Sequence, residues 1–216
     1  MLKDLDYDQL RDVRLRAAMG GPQAPLTDEK IPTLAEALEL VVRGRLLVTL
    51  HVLERDLYDA TFREVEKAGA QQQALFKMQA YPDEPRLRYA AFFGKTAFMP
   101  VLHECEPGLS GHYCSANLGR SMSRYRTVNP TVYEVSFQNK AFLRTRHTGE
   151  GWPKLWLNAI EPRLMGGMNE EEALRDPKKM DAVWGWLADN GAGVIQTNHP
   201  LRLKKYLEER KAAPAR

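Results

Sequence analysis

The chain has 216 residues, 44% of them hydrophobic and 27% charged, enough for one sizeable core and the composition of an ordinary globular domain. Its apolar runs are only a few residues long, which excludes a transmembrane helix, and a net charge of +3 is too small to argue for nucleic acid as a partner. Met1 leads into Lys3, Asp4 and Asp6 with no apolar stretch behind it, so no signal peptide is legible and the chain as given reads as cytoplasmic.

In chain order, residues 4–19 mix Leu5, Leu10, Val13 and Leu15 with acids and arginines in a helical pattern that Gly20-Gly21-Pro22 ends. Thr33 followed by Glu36 is a Ser/Thr-x-x-Glu capping box, and Leu34, Ala37, Leu38 and Val41 form the buried stripe of the helix it starts. Strands are expected at Leu46–His51, Ala74–Met78, Ala97–Leu102, Thr131–Phe137, Lys154–Ala159 and 193–197. Helices are expected over 56–68 and 83–93, a loop over 103–115, and a basic helix or turn over 116–126. A further amphipathic helix carries Trp184 and Trp186, and a basic helix closes the chain. Short apolar strands separated by helix-length segments are the signature of consecutive βα units and a parallel sheet. The last strand, Val194-Ile195-Gln196-Thr197, stops in the polar pair Asn198-His199, at the end where parallel β/α folds place their chemistry.

Several pieces resemble, in order, the later part of the glycerophosphodiester phosphodiesterases, a barrel family related in fold to phosphatidylinositol-specific phospholipase C. Lys30-Ile31-Pro32-Thr33-Leu34-Ala35-Glu36-Ala37-Leu38 resembles the helix start before the third barrel strand, and Leu46–His51 occupies that strand. Lys77 falls in the fourth, Met99-Pro100 in the fifth, Tyr133–Phe137 in the sixth, Lys154–Asn158 in the seventh and Val194–Pro200 in the eighth. The resemblance implies an α/β fold of (β/α)8 TIM-barrel type that is incomplete, with about six βα units and the first two strands missing. It divides a single domain into a helical lead-in (1–45), six βα units (46–200) and a basic tail (201–216).

The implied activity is phosphodiester hydrolysis in glycerophospholipid metabolism, with a divalent metal, Ca²⁺ or Mg²⁺, held by carboxylates. The family's His-Arg-Gly, Glu-x-Asp and His-Asp motifs of the first two strands are absent here, so no catalytic histidine is identifiable and the ligand set is incomplete. The third strand ends in His51 where an acid is usual, and the last in Asn198 rather than aspartate. The chain therefore reads as a truncated, inactive or impaired hydrolase: loss of members of a catalytic unit costs orders of magnitude in rate. If coding sequence lies upstream of Met1, a periplasmic or secreted location follows.

Five residues are expected to bind a small phosphodiester or glycerol phosphate: Lys77, Glu134, Trp156, Asn158 and Asn198. Four of them have a structural alternative: Lys77 as a lysine snorkelling from a strand edge, Glu134 as an outward residue, Trp156 as core, Asn158 as a strand-end turn. His51 is a candidate metal ligand or lone base, or a hydrogen-bonded strand terminus. Two other functions stand beside hydrolysis. One is a non-catalytic binding relative, whose open barrel edges call for an oligomer or a second chain. The other is an unrelated metal enzyme using His51 or the loop His103, Cys105, His112 and Cys114, whose two His-x-Cys pairs supply four zinc-type donors at an unusual spacing. Cys105 and Cys114 are alternatively a disulfide in an exported protein or free thiols in a cytosolic one.

Overall fold

The computed structural model describes residues 4–18, 20–80, 92, 94–105, 114–144 and 154–212. Helix α1 (Tyr7–Leu10) precedes an antiparallel hairpin of β1 (Arg14–Arg16) and β2 (Leu26–Lys30). Then follow α2 (Leu34–Arg43), β3 (Val48–His51), α3 (Tyr58–Lys67), β4 (Ala74–Gln79), β5 (Ala97–Glu104), β6 (Cys114–Ser115), α4 (Leu118–Tyr125) and β7 (Val132–Ser136). The chain continues through α5 (Ala141–Arg144), β8 (Lys154–Asn158), α6 (Glu170–Arg175), a π-helical turn over Asp181–Gly185 that runs into α7 (Trp186–Asp189), β9 (Ala192–Gln196) and α8 (Pro200–Ala212).

The main sheet has the order β3-β4-β5-β7-β8-β9, with every pairing parallel and the short β6 joined to β5. It curls into a half-barrel of six strands, an incomplete TIM-barrel-type α/β fold. Strands covered on both faces read as apolar runs rather than as alternation, and β7 is buried at all five positions. One side of the sheet carries the core. Phe76, Leu102, Tyr133, Val135, Leu155 and Leu157 pack with Leu38 of α2, Phe62 and Val65 of α3, and Trp184 and Leu187. Phe76 stacks on Phe92 with ring centroids 4.8 Å apart, and Phe62 meets both edges of that pair.

The elements start and stop for local reasons. The expected capping box at α2 is formed: Thr33 Oγ accepts the Glu36 N–H, and the Glu36 carboxylate accepts the Thr33 N–H at 2.8 Å. The Thr33 N–H and then the Thr33 hydroxyl, both donating to it, hold the Glu36 carboxyl below its usual value, and the box satisfies donors that a bare helix end leaves open. Gly69, at φ +67°, takes the left-handed conformation just past α3 that ends helices at little cost. Gln73 donates to the carbonyls of Val41 and Leu46, fixing the link from α2 to β3.

Three sequence expectations are corrected. The helical pattern over 4–19 yields only the single turn of α1. The Arg14-Leu15-Arg16 alternation instead pairs with β2, helped by exposed Arg14–Asp28 (3.3 Å) and Lys30–Asp12 (2.8 Å) contacts. The third strand begins at Val48, leaving Leu46 and Leu47 exposed ahead of it. The strand at Ala97 continues through His103 and Glu104, so the loop expected over 103–115 begins two residues later. The helix expected over 83–93 lies, apart from Phe92, outside the described residues, as does His112.

Candidate functional site

Side chains alternate across a strand, so the partners of the core-facing residues share the concave face. That face holds Lys77 and Gln79 of β4, His103 of β5, Glu134 and Ser136 of β7, and Trp156 of β8. Glu134 and Trp156 sit mid-strand, while Lys77, Gln79, His103 and Ser136 lie toward the C-terminal ends of their strands, the end at which barrel enzymes build their sites.

The deepest feature is an ion pair. Lys77 Nζ lies 2.6 Å from Glu134 Oε2, with the two side chains 11% and 7% exposed. The pair straddles β5, since Lys77 sits on β4 and Glu134 on β7, and only a curled sheet brings those side chains together. Both therefore face inward. Trp156 is opposite Glu134 in the β7–β8 register, and its indole N–H donates to Gln196 Oε1 at 3.0 Å.

His51 is opposite Lys77 in the β3–β4 register. Burial, then the charges of Lys77 and His103, push its pKa below the ordinary histidine value of 6.5. His103 is pushed down in the same way, first by burial and then by Lys77. Protonating either imidazole beside a buried ammonium is unfavourable, so both are neutral at pH 7. The consequence for stability has a definite sign. Below pH 6.5 the unfolded chain binds protons that the folded chain refuses, so unfolding free energy falls as pH drops from about 6.5 through the depressed folded values. Urea midpoints measured from pH 7.5 to 5 are expected to decrease, and His103→Gln is expected to flatten that decrease. An equally steep profile in the variant would show that other groups carry it.

His103 is held on both sides. Its Nδ1 is 2.6 Å from Ser136 Oγ and its Nε2 is 3.2 Å from Gln79 Oε1. The zinc reading of the His/Cys loop is thereby corrected. Cys105 and Cys114 are bonded to each other, so neither offers a thiolate, and His103 is committed to the concave face. The disulfide closes the chain between β5 and β6 and brackets the described end of that connection.

The remaining expected residues scatter. Asn158 Oδ1 accepts the N–H groups of Ile160 and Glu161 and so shapes the turn leaving β8. Asn198 is exposed, and its backbone N–H donates to Glu170 Oε1 at 2.9 Å. Glu170 is fully buried and also accepts from Thr197 Oγ1 (2.6 Å) and Trp184 Nε1 (3.3 Å). With Glu171 and His199 it forms the one group of three potential cation ligands among the described residues, their ligand atoms within 4.8 Å of one another. This group lies at the loops after β8 and β9, and His51 is not part of it.

Sequence reasoning missed His103, Gln79 and Ser136 as neighbours on the concave face. The signal was present: continuing the inward alternation Met99, Val101 one step reaches His103. Glu170 was missed because nothing in an acidic helix start, Glu170-Glu171-Glu172, marks which carboxylate turns inward.

The sequence profile of a family described only as a domain of unknown function matches residues 112–207. No curated protein matches the chain. Among solved structures, a glycerophosphodiester phosphodiesterase from Parabacteroides distasonis ATCC 8503 is similar with a TM-score of 0.55 at 14% identity, over 95% of this chain and 72% of that one. A putative phosphonomutase from Burkholderia cenocepacia J2315 gives a TM-score of 0.43 at 16% identity, over 82% and 73%. The first likeness establishes the fold.

Proposed function

We propose that this chain is a glycerophosphodiester phosphodiesterase-type half-barrel that binds a small phosphodiester or glycerol phosphate on its concave face and turns it over poorly by itself. The observation that carries this is the buried Lys77, set among two neutral histidines on the inner face of a fold shared with a glycerophosphodiester phosphodiesterase. An ammonium with restricted access to water is a strong partner for a phosphoryl oxygen, and His51 is a base within the same neighbourhood.

Poor turnover follows from the oxygen ligands. A hard divalent ion takes six or more oxygens, and the described carboxylate of the inner face, Glu134, is engaged by Lys77. A Ca²⁺ or Mg²⁺ cage does not fit there. The Glu170, Glu171 and His199 group lies elsewhere, and its buried member already accepts three hydrogen bonds.

Two measurements test the reading. Glycerol 3-phosphate titrated into the full chain by calorimetry is expected to bind, and the Lys77→Met/Glu134→Leu double variant is expected not to. Glycerophosphocholine with added Ca²⁺ or Mg²⁺ is expected to yield glycerol phosphate at or near the uncatalysed rate. Absence of binding would end the proposal, and brisk metal-dependent release would overturn its account of the ligands.

A non-catalytic role with a second chain is favoured by one observation. Among the described residues the outer strands β3 and β9 each pair on one side, and Leu47, Leu53 and Leu201 beside them are 85%, 69% and 83% exposed. Open parallel edges with apolar neighbours are association surfaces. Light scattering is expected to show self-association; a clean monomer with cooperative unfolding would count against it.

A further inference from the structure

The row Gln79, His103 and Ser136 runs across three neighbouring strands, β4, β5 and β7, at the mouth of the half-barrel. Gln79 Oε1 is a carbonyl oxygen and can only accept, so the imidazole Nε2 carries the hydrogen. Nδ1 then bears the lone pair, and the Ser136 hydroxyl is its donor at 2.6 Å. A hydroxyl on a base whose far nitrogen is oriented by a third group is the arrangement that activates a nucleophile. Burial and Lys77 keep His103 unprotonated, so the base is available at neutral pH.

Ser136 and His103 both line a cavity of about 290 Å³ that Cys114 and Leu164 also border. Its charged walls select the substrate. Glu104 spends one carboxylate oxygen on the backbone N–H groups of Gln138 (2.6 Å) and Asn139 (3.2 Å), fixing the turn directly after Ser136. On the rim Glu161 accepts a hydrogen bond from Arg163 at 3.1 Å. Among the described lining residues, two carboxylates against one guanidinium do not attract an anion, and the others, His103, Cys114, Ser136, Gln138 and Leu164, are uncharged at neutral pH.

We propose that Ser136 is a nucleophile activated by His103, which Gln79 positions, and that the cavity takes small uncharged carboxylic esters. As Ser136 Oγ bonds to the ester carbonyl carbon, its proton passes to His103 Nδ1. The bond from that carbon to the alcohol oxygen breaks, and the departing alkoxide takes the proton from His103, leaving acyl-Ser136. Water repeats the sequence, its proton going by way of His103 to Ser136 Oγ, and the carboxylic acid leaves. Lys77 enters only through its charge on His103, and the reaction needs no contact between Lys77 and the ester, so phosphate binding and ester cleavage can fail separately.

The test treats the full chain with diisopropyl fluorophosphate, an uncharged serine-directed reagent, and locates the adduct by peptide mass spectrometry. The expected result is one adduct, on Ser136, formed by the folded wild type and not by the urea-unfolded chain. Labelling and 4-nitrophenyl acetate hydrolysis are expected to vanish in Ser136→Ala and to slow by about 100-fold or more in His103→Gln, the usual worth of a general base. Gln79→Leu is expected to slow labelling about tenfold, with Gln79→Glu, which can only accept, restoring it. A wild-type chain without an adduct on Ser136, or equal labelling in His103→Gln, overturns the proposal however the other variants fold. Equal rates in Gln79→Leu and Gln79→Glu overturn the positioning role.

Discussion

Glu134→Leu is expected to lower the unfolding free energy by about 3–5 kcal/mol, whereas Lys77→Met/Glu134→Leu is expected to fold as stably as the wild type or about 1–4 kcal/mol more so. The pair is 2.6 Å apart and nearly sealed from water. Removing the carboxylate strands an ammonium on the inner face beside His51 and His103, where a neutral imidazole supplies no countercharge and a protonated one would repel it. Removing both charges deletes two desolvation penalties and replaces them with apolar volume between Met99, Val101 and Trp156, the register neighbours of the pair. Urea denaturation of the two single variants and the double variant closes a thermodynamic cycle. A coupling energy near zero would mean that the contact is incidental and that both groups reach water. A strongly destabilised double variant would mean that the pair is needed to hold the curl of the sheet. The same double variant serves the ligand test: if it folds normally and loses glycerol phosphate binding, the buried charge is there for the ligand, having been shown not to be there for stability.

The architecture was legible because parallel strands buried on both faces leave continuous apolar runs, as in Ala74–Met78 and Thr131–Phe137, and because helix entry has chemical punctuation, as at Thr33 and Glu36. What escaped was whatever the local pattern does not determine. Leu5, Leu10, Val13 and Leu15 satisfy a helical stripe loosely, but Arg14-Leu15-Arg16 satisfies a strand as well, and pairing with Leu26–Lys30 decides between them. Within the site, the strand pattern left Lys77 open between an inward and a snorkelling position, and it was the family resemblance rather than the pattern that turned Glu134 inward. Their contact across β5 was not readable, since it depends on curvature. His103 was drawn toward the cysteines by the His-x-Cys spacing, while alternation along β5 sends it to Ser136 and Gln79. Asn158 and Asn198 stand out in sequence as polar residues at strand ends, yet one builds a turn and the other presents its backbone to a distant carboxylate.

That carboxylate supports the last expected result. Glu170→Ala is expected to cost about 3–5 kcal/mol, because it orphans three donors at once and each buried unsatisfied donor costs about 1–3 kcal/mol. The donors are the Trp184 indole N–H, the Thr197 hydroxyl and the Asn198 backbone N–H. Together they tie the start of α6 and the helix before β9 to the end of that strand. Glu170→Gln keeps one acceptor oxygen and is expected to lose about half as much. Amide exchange is expected to speed up at Asn198 first, since its N–H points at the missing oxygen, and then along β9, which among the described strands pairs with β8 at the end of the sheet. Glu171→Gln separates this structural role from a cation site. Glu171 is exposed and its carboxylate lies 3.2 Å from His199 Nε2, a solvent-facing contact, so its change is expected to move stability by less than about 0.5 kcal/mol. If the three side chains instead held a divalent ion, adding that ion would raise the wild-type melting temperature by mass action, and Glu171→Gln would abolish the rise. A large effect of Glu170→Ala with no metal-dependent shift in either protein assigns the buried carboxylate to holding the end of the sheet.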